Sequence, residues 1–257
     1  MKYQFTASIV LYKNSVELLE EAISSFLNTE LNVKLFLIDN SPDDSLRSLK
    51  TNDRIDYRFN NANIGFGAAH NLVMNGIWDI SDYHIVLNPD VYFDAGTLET
   101  LLEFMEANKN VGHTMPKVLY STGEIQYLCK ENPKPFDLFA RRFLPGFLKK
   151  RFQKRMDEYE YKNRDYNKTM LDIPYLSGCF MLLRTETLKK VGLFDERIFM
   201  YIEDADLTRR FLEISHTAYF PGAVIYHHYA KGSYKSLKLT WYNIHGALIY
   251  FNKWGWF

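Results

Sequence analysis

Carboxylates crowd one short stretch of the chain. Between Gly192 and Arg210 the sequence GLFDERIFMYIEDADLTRR places Asp195 and Glu196 just after a turn signal. Glu203, Asp204 and Asp206 then fall where Leu207, Phe211 and Leu212 open a helical apolar stripe. Acids in a first helical turn cap free backbone N–H groups and complement the positive end of the dipole. Any further role depends on what they face. Asp90, in Asn88-Pro89-Asp90, follows the apolar run YHIVL. A carboxylate at the tip of a central strand, with Pro89 stiffening the turn, suits a hard divalent cation beside a diphosphate. His227 and His228 end the run HTAYFPGAVIYHH. Gly65 and Gly67, in NNANIGFGAAHN, sit where a helix begins; glycines there permit close backbone approach, and free N–H groups suit an anionic or polar ligand.

These residues need elements to hold them. Phe5–Leu11 reads as a strand, Asn14 to Glu17 as a helix start with Glu17 completing a capping box, and Leu18 to Leu27 as that helix. Val33–Ile38 is a second buried strand, broken by the turn cluster from Asp39 to Asp44. A strand, helix, strand unit implies parallel pairing, and ligands of open α/β sheets bind outside the carboxyl ends of the strands, where Asp39 lies. Arg54–Phe59 and Tyr83–Leu87 are further strands, with a helix between them running to about Trp78. Asp94 is placed to cap a helix through Leu98 and Met105, and Val111–Tyr120 and Glu124–Cys129 read as paired strands. From Glu131 to about Thr169 the composition turns basic and aromatic, with Pro133, Pro135 and Pro145 breaking any single helix. That pattern reads as an insertion of short amphipathic helices. Asp172–Leu183 is a strand with a bend at Ser177-Gly178 that lets something approach the backbone. Thr185–Lys190 is a short helix, His216–His228 a strand pair or bent strand, and Tyr234–Phe257 an aromatic helical tail.

Composition narrows the function. The 257 residues balance 31 basic against 31 acidic side chains, so a nucleic-acid binder working through bulk charge is excluded and any basic patch is local. Cys129 and Cys179 form no CxxC pair, which points to a reducing cytoplasm. The N-terminal apolar run is too short for a signal peptide, and no stretch approaches the ~18 apolar residues of a membrane span. A soluble protein, peripheral at the inner face of the cytoplasmic membrane, is expected. The glycine pattern fails as a dinucleotide fingerprint because His70 stands where the third glycine belongs.

The chain resembles the inverting glycosyltransferases of family 2 with the A-type fold, and in particular their rhamnosyltransferase-like branch. The resemblance rests on VLYKN, LFLIDNSPDD, NNANIGFGAAHN, LNPDV, YLSGCFMLLR, GLFDERIFMYIEDADLTRR and HHYAKGS, in that order over nearly the whole length. It implies a Rossmann-like α/β fold with a mixed, mostly parallel sheet flanked by helices. The organisation it implies is one domain over 1–257, with a nucleotide-sugar-binding half (1–130), the basic aromatic insertion (131–170), and an acceptor-binding and catalytic half with a helical tail (171–257). By the same resemblance, Asp39 and the backbone after Val10 hold the nucleotide base and ribose, with Asn63 and Gly65 near that pocket. Asp90 matches the metal-binding aspartate, and Asn88 stands where a first aspartate often does, an amide able to ligate weakly or touch ribose. His228 matches a late histidine that completes the metal site, with His227 the competing choice. Asp204 matches the catalytic base and Glu203 its neighbour contacting the acceptor.

The implied reaction moves a sugar from a nucleoside diphosphate donor, with a divalent cation (Mg or Mn), to a hydroxyl of a glycan or lipid-linked glycan acceptor in bacterial surface polysaccharide synthesis. Rhamnose is the sugar of the branch, with galactose, glucose and N-acetylhexosamines open. The alternative is a non-catalytic nucleotide-sugar-binding relative or scaffold. A metallohydrolase using both histidines is disfavoured, because adjacent residues of a strand point to opposite faces.

Overall fold

Near-continuous apolar strands such as VKLFLID need cover on both faces, and the chain supplies it by alternating strands with amphipathic helices. The computed structural model describes residues 2–138, 150–228 and 236–256. In chain order the first half holds β1 (Tyr3–Leu11), α1 (Val16–Leu27), β2 (Val33–Asp39), β3 (Ile55–Phe59), α2 (Phe66–Met74), β4 (Ser81–Leu87), β5 (Val91–Tyr92), α3 (Thr97–Ala107) and β6 (Val111–Leu119). The second holds β7 (Cys129–Lys130), α4 (Gln153–Tyr159), β8 (Met170–Leu171), β9 (Tyr175–Leu176), β10 (Phe180–Arg184), α5 (Thr185–Val191), α6 (Glu203–Leu212), β11 (His216–His227) and α7 (Leu237–Trp254).

The main sheet runs β3-β2-β1-β4-β10-β6-β11-β5, with β8 beside β11. β1 to β4 are parallel, β10 lies antiparallel between β4 and β6, and β11 is parallel to β6. The sheet is therefore mixed and mostly parallel, flanked by helices, as the resemblance implies. One face buries Phe5, Ala7, Ile9 and Leu11 of β1 against Leu19, Ala22, Ile23 and Phe26 of α1. The other buries Ile38, Val86 and Leu183 against Val73 of α2 and Phe211 of α6. The chain leaves β1 towards β2 and β3, then returns to β4 on the other side of β1. Such a reversal leaves a crevice between the carboxyl ends of β1 and β4, and Asp39 and Asn88 lie on its rim.

Several local expectations are corrected. α1 begins after Ser15, and the Asn14 side-chain oxygen turns back to accept from Tyr12 N at 2.8 Å, so no capping box forms. Asp94 does not cap α3, whose N-cap is Gly96 in the left-handed region. α2 stops at Met74, short of Trp78. The expected strand Glu124–Cys129 shrinks to a bridge at Ile125 and to β7, because β7 pairs with β9 in a separate two-stranded sheet. The expected strand Asp172–Leu183 divides into β9 and β10 on either side of Ser177-Gly178. His216–His227 is one bent strand with a register shift at Phe220/Val224. Of the basic insertion, residues 139–149 lie outside the described residues; so do Tyr229 to Lys235, which carry most of the HHYAKGS block. No helix among the described residues is long and apolar enough to cross a membrane.

Candidate active site

The loop before β10 joins the tip of β4 to the start of α6. Asn88 N donates to Cys179 O at 2.9 Å, and the residue before it, Gly178, donates its N–H to Asp204 Oδ2 at 2.8 Å. Two consecutive residues at the start of β10 thus join the Asn88-Pro89-Asp90 turn to the acid at the start of α6. Register explains the meeting, since Phe180 pairs with Leu87 and the loop before β10 must pass the end of β4. A Cβ on Gly178 would stand 3.1 Å from Asp204 Cβ. What approaches the backbone at the Ser177-Gly178 bend is therefore the Asp204 carboxylate. Tyr175 OH adds a hydrogen bond to Asp204 Oδ2 at 3.2 Å, and Ala205 N donates to Oδ1 at 2.9 Å.

Glu203 beside it is almost fully buried. Its Oε2 has no hydrogen-bond partner among the described residues. Burial, and then the charge of Asp204, hold its carboxyl well above the usual carboxylate range. The backbone entering α6 is strained as well, because Tyr201 and Ile202 both adopt φ 73°, left-handed for residues that carry a Cβ. Packing holds this conformation: Ile202 is buried, and α7 lays Gly246 against Tyr201 O, 2.8 Å from where a Cβ would stand. Asp206 is fully buried and structural. It accepts from Lys253 Nζ and Trp254 Nε1 of α7, both at 2.7 Å, and from Arg210 Nε at 3.0 Å. Asp195 pairs with Arg197, and Glu196 accepts from Asn71 Nδ2.

The two histidines at the end of β11 face apart. His227 is buried, its Nε2 3.3 Å from Asp90 Oδ1, whereas the His228 ring stacks on Tyr92 and its Nε2 lies 2.6 Å from Glu21 Oε2. The structure therefore brings His227 to Asp90 through its ring, and His228 only through its backbone N–H, which donates to Asp90 O at 3.0 Å. Gln126 fixes the His227 tautomer. Its Nε2 donates to His227 O at 2.8 Å, which leaves its Oε1 to accept from His227 Nδ1 at 3.0 Å. That leaves Nε2 facing the Asp90 carboxylate, a nitrogen and an oxygen that can pair directly or share one cation. The pair fits a divalent ion that takes its remaining ligands from water and phosphate, as magnesium usually does. Among the described residues no group of three His, Cys, Asp or Glu is placed to hold a metal by itself.

The rim of the crevice is finished in polar contacts. Asp39 is fully buried, accepting from Ser41 N at 2.8 Å and from Tyr57 OH at 2.6 Å, and Ser41 Oγ accepts from Lys13 N at 2.9 Å. Its carboxylate shapes the wall that follows Val10 and β2. Asn63 Oδ1 accepts from Gly65 N at 3.1 Å, and Asn40 Nδ2 reaches Gly65 O at 3.3 Å. Gly65 has φ 96°, a Cβ there would fall 2.6 Å from Phe199 O, and the next residue, Phe66, donates its N–H to that same oxygen at 2.9 Å. The helix start is thus clamped to the loop that leads into Glu203. Residues that sequence reasoning did not single out include Tyr175, Gln126 and Lys130. The Lys130 ammonium is buried 4.5 Å from the Tyr175 ring centre. Lys130 and Tyr175 lie in two-residue strands that the β7–β9 pairing places, and Gln126 lies in a loop whose N–H donates to Val118 O of β6.

Known proteins are similar to this chain in sequence and in fold. The chain is 27% identical to the N-acetylglucosaminyl-diphospho-decaprenol L-rhamnosyltransferase of Mycobacterium tuberculosis over 225 residues, 82% of this chain and 72% of that protein. It is 27% identical to the rhamnosyltransferase WbbL of Escherichia coli K12, over 69% of this chain and 67% of the relative. Among solved structures, GalNAc-T7 with UDP, GalNAc and Mn2+ superposes with a TM-score of 0.66 at 13% identity; the match covers 88% of this chain and 43% of that one. The family model for "Glycosyl transferase family 2" matches residues 8–192, a span that runs from within β1 through the Asn88-Pro89-Asp90 turn, β6 and β10 and ends before the Glu203–Asp204 pair. The chain belongs to glycosyl transferase family 2.

Proposed function

We propose that the chain is an inverting glycosyltransferase that moves a sugar, rhamnose by analogy with the two rhamnosyltransferases it is similar to, from a nucleoside diphosphate donor to a hydroxyl of a lipid-linked glycan in bacterial surface polysaccharide synthesis. The observation that carries this reading is the link from Asn88 through Cys179 and Gly178 to Asp204, which sets a proton acceptor beside the Asp90–His227 pair. In the single displacement, the acceptor oxygen bonds to the anomeric carbon as the bond to the diphosphate oxygen breaks. The acceptor proton passes to an Asp204 oxygen, and the nucleoside diphosphate leaves with the bonding electrons. A divalent ion, when bound, offsets the charge that grows on that leaving group. Asp90 and His227 would hold it, with Asn88 offering an amide oxygen in the same turn. The crevice between β1 and β4, with Val10, Asp39, Asn63 and Gly65 at its rim, takes the nucleotide. Tyr175 and Gly178 hold Asp204 in place.

Asn88, in the place of a carboxylate, favours a second reading, a nucleotide-sugar binder without turnover. Thermal unfolding of the full chain with a panel of nucleoside diphosphate sugars, with and without manganese, followed by transfer assays on those that bind, separates the readings. Stabilisation by a deoxythymidine or uridine diphosphate sugar that manganese enhances, together with turnover, is expected. Binding without turnover on any acceptor supports the second reading, and stabilisation by none overturns both.

A further inference from the structure

Helix α7 is more apolar on its outer side than its packing requires. Its inner side is fully engaged: Gly246 meets Tyr201 O and Ile198, Tyr242 stacks on Phe199 at 4.2 Å, Tyr250 and Phe251 are buried, and Lys253 and Trp254 hold Asp206. On the outer side Leu237, Trp241, Ile244 and Leu248 follow one another at helical spacing, and they are 91%, 60%, 40% and 42% exposed. Apolar residues scattered singly over a surface are ordinary, but a continuous exposed stripe marks a surface that meets something.

The charge around the stripe identifies what it meets. No Asp or Glu follows Glu213 in the chain, although the chain as a whole is neutral. Lys238 stands beside the stripe at one end of α7, and the half-exposed Trp256 stands past the other. The basic insertion reaches the same helix. Leu138 packs against the cluster that contains Tyr250 and Phe251, and Asp137, next to Leu138, pairs with the exposed Arg155 at 2.7 Å. A second copy docking through the same patch would bring Lys238 of one copy towards the same surface of the other with no acid on α7 to offset it, since a two-fold contact repeats one surface. An apolar stripe with Trp and flanking Lys is instead what lies in the headgroup layer of an anionic bilayer, Trp at the boundary and ammonium groups reaching the phosphates.

We propose that the Leu237–Trp241–Ile244–Leu248 stripe of α7 docks on anionic lipid headgroups, holding the Glu203–Asp204 helix over a lipid-borne acceptor. The proposal rests on the sugar-transfer reading for the acceptor, but not for the lipid contact itself. The inner side of α7 touches residues 198–201, which lead directly into Glu203, so docking sets Asp204 about one helix diameter, ~10 Å, from the lipid surface.

The test is flotation of the full chain with vesicles of phosphatidylglycerol and phosphatidylcholine, and with phosphatidylcholine alone, at low salt. Binding to the anionic vesicles is expected, with a loss of at least about tenfold in the doubly substituted Trp241→Glu, Ile244→Glu protein and in Leu237→Glu alone. Thermal midpoints and vesicle-free donor hydrolysis should stay as in the unsubstituted protein. Failure of the unsubstituted chain to float with anionic vesicles, or equal flotation of the variants, overturns the proposal. So does a dimer that Trp241→Glu dissociates while flotation persists. If vesicle-free donor hydrolysis is absent from the unsubstituted chain, the sugar-transfer reading falls while the flotation result still stands on its own.

Discussion

The two walls of the candidate site are finished to different degrees. On the β1–β2 side Asp39 is held by Ser41 and Tyr57, Asn40 and Asn63 tie Gly65, and Ser8 Oγ bridges His70 and His84 at 2.7 and 2.9 Å; what stays open there is a ring nitrogen, His70 Nε2, and left-handed backbone at Lys13 and Asn61 in loops. On the α6 side Tyr201 and Ile202 carry left-handed backbone, and Glu203 keeps a buried carboxyl oxygen without a partner. Each such backbone residue costs about 1–3 kcal/mol, and strain of this kind persists only where its surroundings enforce it. The enforcing contacts here come from α7 and from Asp206. The contrast fits a wall shaped in advance for a nucleotide and a catalytic wall held under tension beside it.

The sharpest way to break that contrast is Asp204→Asn. The amide still offers an oxygen to Gly178 N but accepts no proton, so transfer should fall on the order of 10²–10⁴-fold while nucleoside diphosphate affinity, measured by calorimetry, stays unchanged. Loss of nucleotide binding would place Asp204 in the donor wall and erase the division. Gly65→Ala probes the join between the walls. It sets a Cβ at φ 96° and 2.6 Å from Phe199 O, and should cost about 1–3 kcal/mol in denaturant unfolding, with weaker donor binding. Gly123→Ala is the control. Its φ is 87°, but a Cβ there meets nothing within 4 Å, so it carries the conformational penalty alone. Equal losses in the two variants would mean that the close approach to Phe199 contributes nothing.

How far the sequence reaches follows the same division. Asp39, Gly65 and Asp90 could be placed because strand ends and helix starts are local events, legible from apolar runs and turn residues. The Glu203–Asp204 pair could be placed on a helix start for the same reason. The choice between His227 and His228 could not be made. Alternation tells that they face apart, but which face looks at Asp90 depends on the parallel register of β11 against β6 and its shift at Phe220/Val224. Tyr175 and Lys130 were invisible because strands of two residues leave no periodicity, Gln126 because it lies in a loop, and the antiparallel entry of β10 between β4 and β6 is a long-range pairing with no local signal. The capping box failed over a single residue: the helix starts one position later than Asn14 and Glu17 require, and Asn14 satisfies Tyr12 instead.

The smallest expected effect, counted per pH unit, comes from titratable groups held away from their usual ranges: His70 and His84 beside Ser8 of β1, His113 beside Phe211 of α6, and Glu203, with the opposite consequence for stability. Burial pushes His84 and His113 down to about 3, and burial, with His84 adding to it, holds His70 well below the ordinary range. Between about pH 3 and 6.5 the unfolded chain therefore binds protons at these histidines that the folded chain refuses, so stability is lost as pH falls through that window. Each histidine contributes a slope of about 1.4 kcal/mol per pH unit. Glu203 acts the other way. Its folded carboxyl keeps a proton that the unfolded one releases above about pH 4.5, so its contribution is fully present below that pH and is lost as pH rises. Three histidines against one glutamate give a net rise in stability from pH 3 to 6.5, measurable by denaturant unfolding at a series of pH values. Glu203→Gln removes only the opposing member. Relative to the unsubstituted chain it should gain about 1.4 kcal/mol per pH unit above pH 4.5, until the folded carboxyl itself ionises. A difference between the two proteins that does not change with pH would mean that Glu203 is ionised in the fold, and the catalytic wall would then lack the buried neutral acid that sets it apart.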